Sequence, residues 1–358
     1  MKFRSVVRAA LFAAGVSVVL APATDSIAAL PPYQLVGSYA LPTGAQGDFN
    51  PVAIDVLPDG RLIGVASDGR VLVQDAVNAG SYTLAGSVGP IFDGPFGNFG
   101  ASFVAVSPGG SRLAIGDNGA ANRVHFVDLA ALSPMSTTAT TFAAAPNFDG
   151  AWADDSTLYI SGFGSGPGVW RVDSNALGAS QVVDMGAGGS GGVAVRAGRV
   201  FIGDGFNTSD GGAPTGNVRA FDLAALAAAG APVDFLTGTL VADALSASPV
   251  RFDALGNLLA GGGDFFAGSN DFGYAAVIDA DAIAAALLGG GPAPDAAELR
   301  LSPAGGSVYY SVAFNHFTQE VLVFADGTAY RYAVPAPGAG AAIAVGSVFA
   351  AARRRRRE

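Results

Sequence analysis

The chain contains no cysteine, a single lysine, two histidines and three glutamates in 358 residues. Without cysteine there are no disulfides, thiolate metal sites or thiol nucleophiles. Imidazole chemistry is confined to His125 and His316. Charged residues of every kind make up only 13% of the chain, about half the usual share. Low charge together with 50% hydrophobic residues excludes an intrinsically disordered chain, which needs the opposite balance. Long hydrophobic runs are lacking too. The two apolar stretches, residues 9–20 and 338–352, both fall short of the ~20 residues of a membrane-spanning helix.

What the chain has in quantity is small residues, with 51 Gly, 20 Pro and abundant Ala. Glycine at about twice its average usage fits a turn-rich β protein. The length allows one large β-domain or two smaller ones, each with a sizeable core. The net charge of −10 averages three unlike regions. Residues 30–334 hold 11 Arg and no Lys against 25 Asp and two Glu, a formal charge of −16, whereas both terminal segments are basic. A body this acidic does not bind nucleic acid, because phosphate binding needs clustered Lys and Arg.

Lys2, Arg4 and Arg8, the apolar residues 9–20, and the small residues around Ser26, Ile27, Ala28 and Ala29 have the three-part layout of a secretory signal peptide. Cleavage after Ala28 or Ala29 leaves a mature chain starting near Leu30; Ala21-Pro22-Ala23 is a second small-residue site, and a retained anchor is the alternative. At the other end Val334, Pro335, Ala336 and Pro337 precede the uncharged residues 338–352, five arginines at 353–357, and Glu358. As a helix, residues 338–352 would measure about 22 Å, marginal for a ~30 Å hydrocarbon core. The arginines would stay on the cytoplasmic side, which places the body outside the inner membrane.

This tail resembles the PEP-CTERM sorting signal, in which a Pro-Glu-Pro-like motif, a short hydrophobic helix and a basic end are recognised by the membrane protease exosortase. Ala336 stands where that motif has Glu, as in its Val-Pro-Ala-Pro variants. The resemblance covers about the last 25 residues and implies that the tail is removed and the body released or attached at the cell surface. An ordinary weak C-terminal anchor is the alternative, and it too leaves the body extracytoplasmic.

The body is a repeat. An apolar strand ending in Asp recurs at residues 71–75, 124–128, 169–173, 218–222 and 275–279, and a sixth copy without the Asp occupies 329–333. The period is about 52 residues, which suits a four-stranded propeller blade with long loops. Each copy follows two strand-like runs joined by a tight turn, most clearly residues 53–57 and 61–65 around Pro58-Asp59-Gly60, a sequence made for turning. Outer strands are expected at 82–88 and 181–185. The last copy has no residues left for its own outer strand, and residues 33–40 can supply it, which removes a sheet edge. The expected architecture is therefore all-β: a signal peptide (1–29), a single six-bladed β-propeller closed by the N-terminal strand (30–333), and a C-terminal hydrophobic sorting helix within the tail (334–358). The body is similar to bacterial propellers of the NHL, YVTN and lactonase-like kind, a resemblance that rests on periodicity.

The recurrent Asp has a structural explanation. Asp128 and Asp222 each precede Leu-Ala-Ala-Leu, and Asp279 precedes another helical run, so these side chains are placed to cap short helices. Among candidate sites, the loop between the second and third strands carries Asp204, Asn207 and Asp210 in the fourth copy, and Asp264, Asn270 and Asp271 in the fifth. Such oxygens suit calcium, although the same residues build ordinary turns. Phe265, Phe266, Phe272 and Tyr274 in the fifth loop suit stacking on sugar rings, or a small core of the loop itself. His125 reads as a packing or surface position and His316 as a solvated turn. Residues 162–166, Gly-Phe-Gly-Ser-Gly, lack the helix and spacing of a dinucleotide loop and read as a strand-to-strand turn.

Two function classes remain. One is a non-enzymatic surface or matrix propeller that binds a polysaccharide or envelope protein through its loops, with an exosortase-like enzyme as processing partner. The other is a metal-dependent lactonase-like hydrolase, which the architecture and the Asp117, Asp204 and Asp264 positions suggest. No catalytic residue is assigned.

Overall fold

The structure, a computed structural model, describes residues 33–42, 49–66, 68–89, 91, 101–117, 123–134, 139–143, 147–163, 166–186, 190–205, 217–243, 247–263, 273–289, 293–294, 300–301, 307 and 309–334. The described chain is all-β, with two short α-helices and two 3-10 turns.

After β1 (Gln34–Ala40), four consecutive strands, β2 (Phe49–Val56), β3 (Leu62–Ala66), β4 (Arg70–Gln74) and β5 (Tyr82–Ser87), form the first antiparallel unit in sequence order. The second unit is β6 (Phe103–Val106), β7 (Arg112–Asp117), β8 (Arg123–Asp128) and β9 (Thr140–Ala143). The third is β10 (Asn147–Trp152), β11 (Thr157–Phe163), β12 (Pro167–Asp173) and β13 (Gly178–Asp184). In the fourth, β14 (Ser190–Arg196), β15 (Arg199–Asp204) and β16 (Asn217–Asp222) are followed by helix α1 (Leu223–Ala228). The two-residue β17 (Val233–Asp234) then adds to β13 in parallel, before β18 (Thr239–Asp243) completes the unit.

The fifth unit contains β19 (Val250–Phe252), β20 (Leu258–Gly263), β21 (Tyr274–Ile278), helix α2 (Ala280–Leu287) and β22 (Arg300–Leu301). The sixth is β23 (Tyr309–Asn315), β24 (Glu320–Ala325) and β25 (Thr328–Ala333). Its outer strand is β1, antiparallel to β25 from Gln34 opposite Ala333 to Ala40 opposite Thr328. Two residue pairs between β20 and β23 join the last two units into one sheet.

The turns explain why the units form. At Pro58-Asp59-Gly60 the Leu57 carbonyl accepts the Gly60 N–H at 2.9 Å, the Arg61 N–H donates to Asp59 Oδ1 at 3.1 Å, and Gly60 has φ +85°. That left-handed backbone favours glycine. The strands bury both sides; all five residues of β3 and all six of β20 are buried. Their apolar faces meet between sheets. Ile63, Val65 and Val71 pack with Leu113 and Ile115 of the second unit, and Phe103 and Val124 pack with Leu158 and Ile160 of the third. The series continues through the third and fourth, fourth and fifth, and fifth and sixth units, and a further cluster joins Leu322 and Phe324 of the sixth to Leu62 and Leu72 of the first.

The recurrent aspartates divide. Asp222 accepts the Ala225 N–H at 2.9 Å and caps α1, and Asp279 accepts the Asp281 and Ala282 N–H groups at the start of α2. Asp173 makes a turn instead, accepting the Asn175 and Ala176 N–H groups. Asp128 corrects the expectation. It precedes only a single 3-10 turn, its side chain makes no cap bond, and it lies 3.7 Å from Arg112 Nε.

Candidate functional site

The first strands of the units bring together residues distant in sequence. Asp149 on β10 is 2% exposed and receives Arg251 from β19, 102 residues away, through two nitrogen–oxygen contacts of 2.8 Å. The Gly150 and Val193 N–H groups donate to the same carboxylate at 2.9 Å. Four donors use the lone-pair capacity of the two oxygens. Arg251 Nη1 also donates to the Val193 and Val250 carbonyls.

Asp55 on β2 accepts the Val56 N–H at 2.8 Å and the Val106 N–H, on β6, at 2.7 Å. Burial pushes its carboxyl pKa above the usual value, while Arg251 and the two N–H donors pull it down. Arg251 loses basicity to burial but gains more from Asp149 and Asp55, so it is held charged. Tyr309 on β23 is raised by burial, and its hydroxyl donates to the Ser248 carbonyl. Groups from β2, β10, β19 and β23 thus sense one another, and their chemistry is that of a tie between units.

Sequence reasoning missed this cluster. The available signal was a charged residue inside an otherwise apolar first strand, at Asp55, Asp149 and Arg251.

A second connected set lies in the second unit. His125 is 4% exposed, with Nε2 3.3 Å from Asp117 Oδ2 and Nδ1 3.1 Å from Thr141 Oγ1. The carboxylate can only accept, so Nε2 donates to Asp117, and Nδ1 shares the second hydrogen bond with the threonine hydroxyl. His125 is therefore a bridge across β7, β8 and β9, more specific than the packing or surface position expected. His316 is exposed in the β23–β24 turn, edge-on to Phe314, as expected of a solvated turn.

Of the proposed calcium ligands, Asp204 ends β15, is 4% exposed, and accepts the Ala247 N–H through its backbone carbonyl at 2.9 Å. Asn207, Asp210, Asp264, Asn270 and Asp271 lie outside the described residues, as do Phe265, Phe266 and Phe272. Tyr274 opens β21 and is 2% exposed within the core between the fourth and fifth units, where its ring packs against protein. Val334 packs beside the last core cluster; Ala28, Ala29, Pro335, Ala336 and Pro337 lie outside the described residues. Gly162 and Phe163 belong to β11, and Phe163 pairs with Pro167 of β12, which fits a strand-to-strand turn. An open polar groove of about 400 Å³ lies between the second and third units, lined by Ser111, Arg112, Asp154, Asp155, Ser156 and Asn175. Arg112 organises it by donating to Ser174 Oγ at 2.7 Å and Asn175 Oδ1 at 2.8 Å.

No protein-family model matches the chain, and no curated protein matches it. Among solved structures, the WD40 β-propeller domain of Doa1 is similar at a TM-score of 0.50 and 11% identity, covering 85% of this chain and 98% of that one. The structure of U3-55K is similar at 0.47 and 13% identity, covering 80% of this chain and 76% of that one. The first likeness shows the fold: a β-propeller built from repeated sheets.

Proposed function

We propose that the chain is a closed six-bladed propeller, exported by residues 1–29, anchored in the inner membrane by residues 334–358 until that tail is processed, and then released or attached at the cell surface, and that it acts without catalysis by presenting its loops to an extracellular polysaccharide or envelope protein. The observation that carries this reading is that the inner carboxylates are already engaged. Asp149 is occupied by Arg251 and two backbone N–H groups, and Asp55 by two more. A catalytic metal needs carboxylate oxygens left open. With the middle committed to holding the units together, recognition falls to exposed loops on a rigid frame.

Six core clusters between successive units, the last returning from the sixth to the first, support ring closure. The β1–β25 pairing supports closure by the N-terminal strand. The loops proposed to bind are residues 206–216 and 264–272, with calcium ordering their Asp and Asn oxygens and phenylalanines stacking on sugar. The lactonase-like reading draws no comparable support: among the described residues, no three His, Asp or Glu side chains gather as a metal site.

Retention of the purified protein on extracellular polysaccharide and envelope fractions, with calcium and with chelator, tests the proposal. Replacing residues 264–272 by a short Gly-Ser turn should abolish retention while the far-ultraviolet spectrum is unchanged. Absence of retention by the intact protein, or turnover of an ester or lactone panel, would overturn it.

A further inference from the structure

Six large apolar side chains are exposed among the described residues: Leu35, Val36, Leu236, Leu255, Leu288 and Phe317. Four of them lie at the same end of the fifth and sixth units, with Phe317 beside Gly60 of the first. Phe317 is in the β23–β24 turn, 64% exposed. The next residue into β24 that pairs is Glu320, opposite Ala333, which itself lies opposite Gln34. Leu35 and Val36 follow Gln34, and the pairing shifts between Leu35 and Gly37. Tyr33 then fastens this corner to the fifth unit, since its hydroxyl bonds to Asp253 and accepts from Asn257 Nδ2 at 2.7 Å. Leu255 sits in that same β19–β20 turn.

The chain leaves for its C-terminal tail at this corner. Ala333 ends β25, and only four residues, 334–337, separate it from the apolar stretch 338–352. At full extension four residues reach at most about 14 Å.

We infer that this end of the fifth and sixth units is a membrane-contacting surface, with Leu35, Val36, Leu255 and Phe317 resting in the headgroup region of the bilayer into which residues 338–352 insert. The inference rests on the tail reading above. A tether this short leaves the exposed apolar corner next to lipid, and apolar side chains settle some 5–10 Å into the headgroup and acyl boundary. Most of the acids at this corner are engaged. Glu320 is paired with Arg331 at 2.6 Å, Asp253 is engaged by Tyr33 and Asn257, and Asp59, next to the Gly60 that lies against Phe317, is paired with Arg61 at 2.8 Å; Asp279 and Asp281 at the start of α2 and His316 in the turn are the other titratable groups there.

The absence of cysteine allows a direct test. Phe317→Cys and Leu255→Cys place a single environment-sensitive fluorophore in the patch. Asp68→Cys places one in the β3–β4 turn, at the opposite end of its sheet. The full chain is reconstituted with phosphatidylcholine/phosphatidylglycerol vesicles carrying brominated acyl chains, and flotation is measured in the same samples. Flotation with about a twofold or greater loss of emission at positions 317 and 255, and none at 68, is expected for side chains at that depth. Flotation with no quenching, or equal quenching at all three positions, overturns the membrane contact and leaves the tail reading standing. Failure to float overturns the tail reading and the contact with it. An emission change that needs no lipid and grows with protein concentration assigns the patch to a second copy of the chain and overturns the contact.

Discussion

Two aspartate–arginine pairs of identical length sit in opposite surroundings. Asp59 and Arg61 meet at 2.8 Å with side chains 51% and 38% exposed, whereas Asp149 and Arg251 meet at 2.8 Å with side chains 3% and 19% exposed. The first spans one turn of one unit. The second joins the third unit to the fifth. Distance therefore says little about consequence: in water a pair is screened and nearly free to leave, while a buried carboxylate deprived of its partner has nothing to replace it.

Breaking the buried pair should have the largest effect. Arg251→Met is expected to cost about 3–5 kcal/mol, because it strands Asp149, and the double change with Asp149→Leu should recover a large part of that. Chemical unfolding of the two single variants and the double measures the coupling, and an additive result would contradict a direct tie.

Protonation probes the same region. Asp55 is raised above its unfolded value of 3.8, chiefly by burial. Its charged form penalises the fold fully above the raised value, and the penalty disappears as pH falls through that value toward the unfolded one. Relative to Asp55→Asn, the natural chain should gain thermal stability as pH falls from above the raised value toward the unfolded value of 3.8. A difference that does not change with pH would place Asp55 in solvent.

Smaller effects separate the repeated aspartates. Asp222→Ala and Asp279→Ala should each cost about 1 kcal/mol through a lost helix cap. Asp128→Ala, which removes no cap bond, should fall within about 0.5 kcal/mol of the natural chain. Equal costs for all three would mean that Asp128 caps after all. Asp59→Ala completes the series; the ion pair itself is expected to contribute less than about 1 kcal/mol, and a loss as large as that of Arg251→Met would erase the contrast between the two pairs.

Much of the strand framework was legible because its signals are local. Pro58-Asp59-Gly60 turns by its own backbone preference, and the outer strands expected at residues 82–88 and 181–185 lie close to β5 and β13. The pairing of residues 33–40 with the last sheet followed from counting strands. The caps were legible at Asp222 and Asp279 but not at Asp128, where the same Asp-Leu-Ala-Ala-Leu leads to one 3-10 turn. The bridge of Asp117, His125 and Thr141 was not legible, since it depends on which residues of three strands share a face. Tyr274, grouped by its neighbours with loop aromatics, is a core residue because β21 begins at that position.

The sequence by itself determined the all-β class, the repeat, the acidic body between two basic ends, and most of the turns, because each depends on composition or on residues a few positions apart. Only the tertiary structure decided that Asp55, Asp149, Arg251 and Tyr309 act together, and that Leu35, Val36, Leu255 and Phe317 share the corner where the tail departs. Those groupings arise from how successive sheets pack and from β1 crossing the whole chain to reach β25, and no spacing along the chain encodes the distance between residues that meet only when the sheets do.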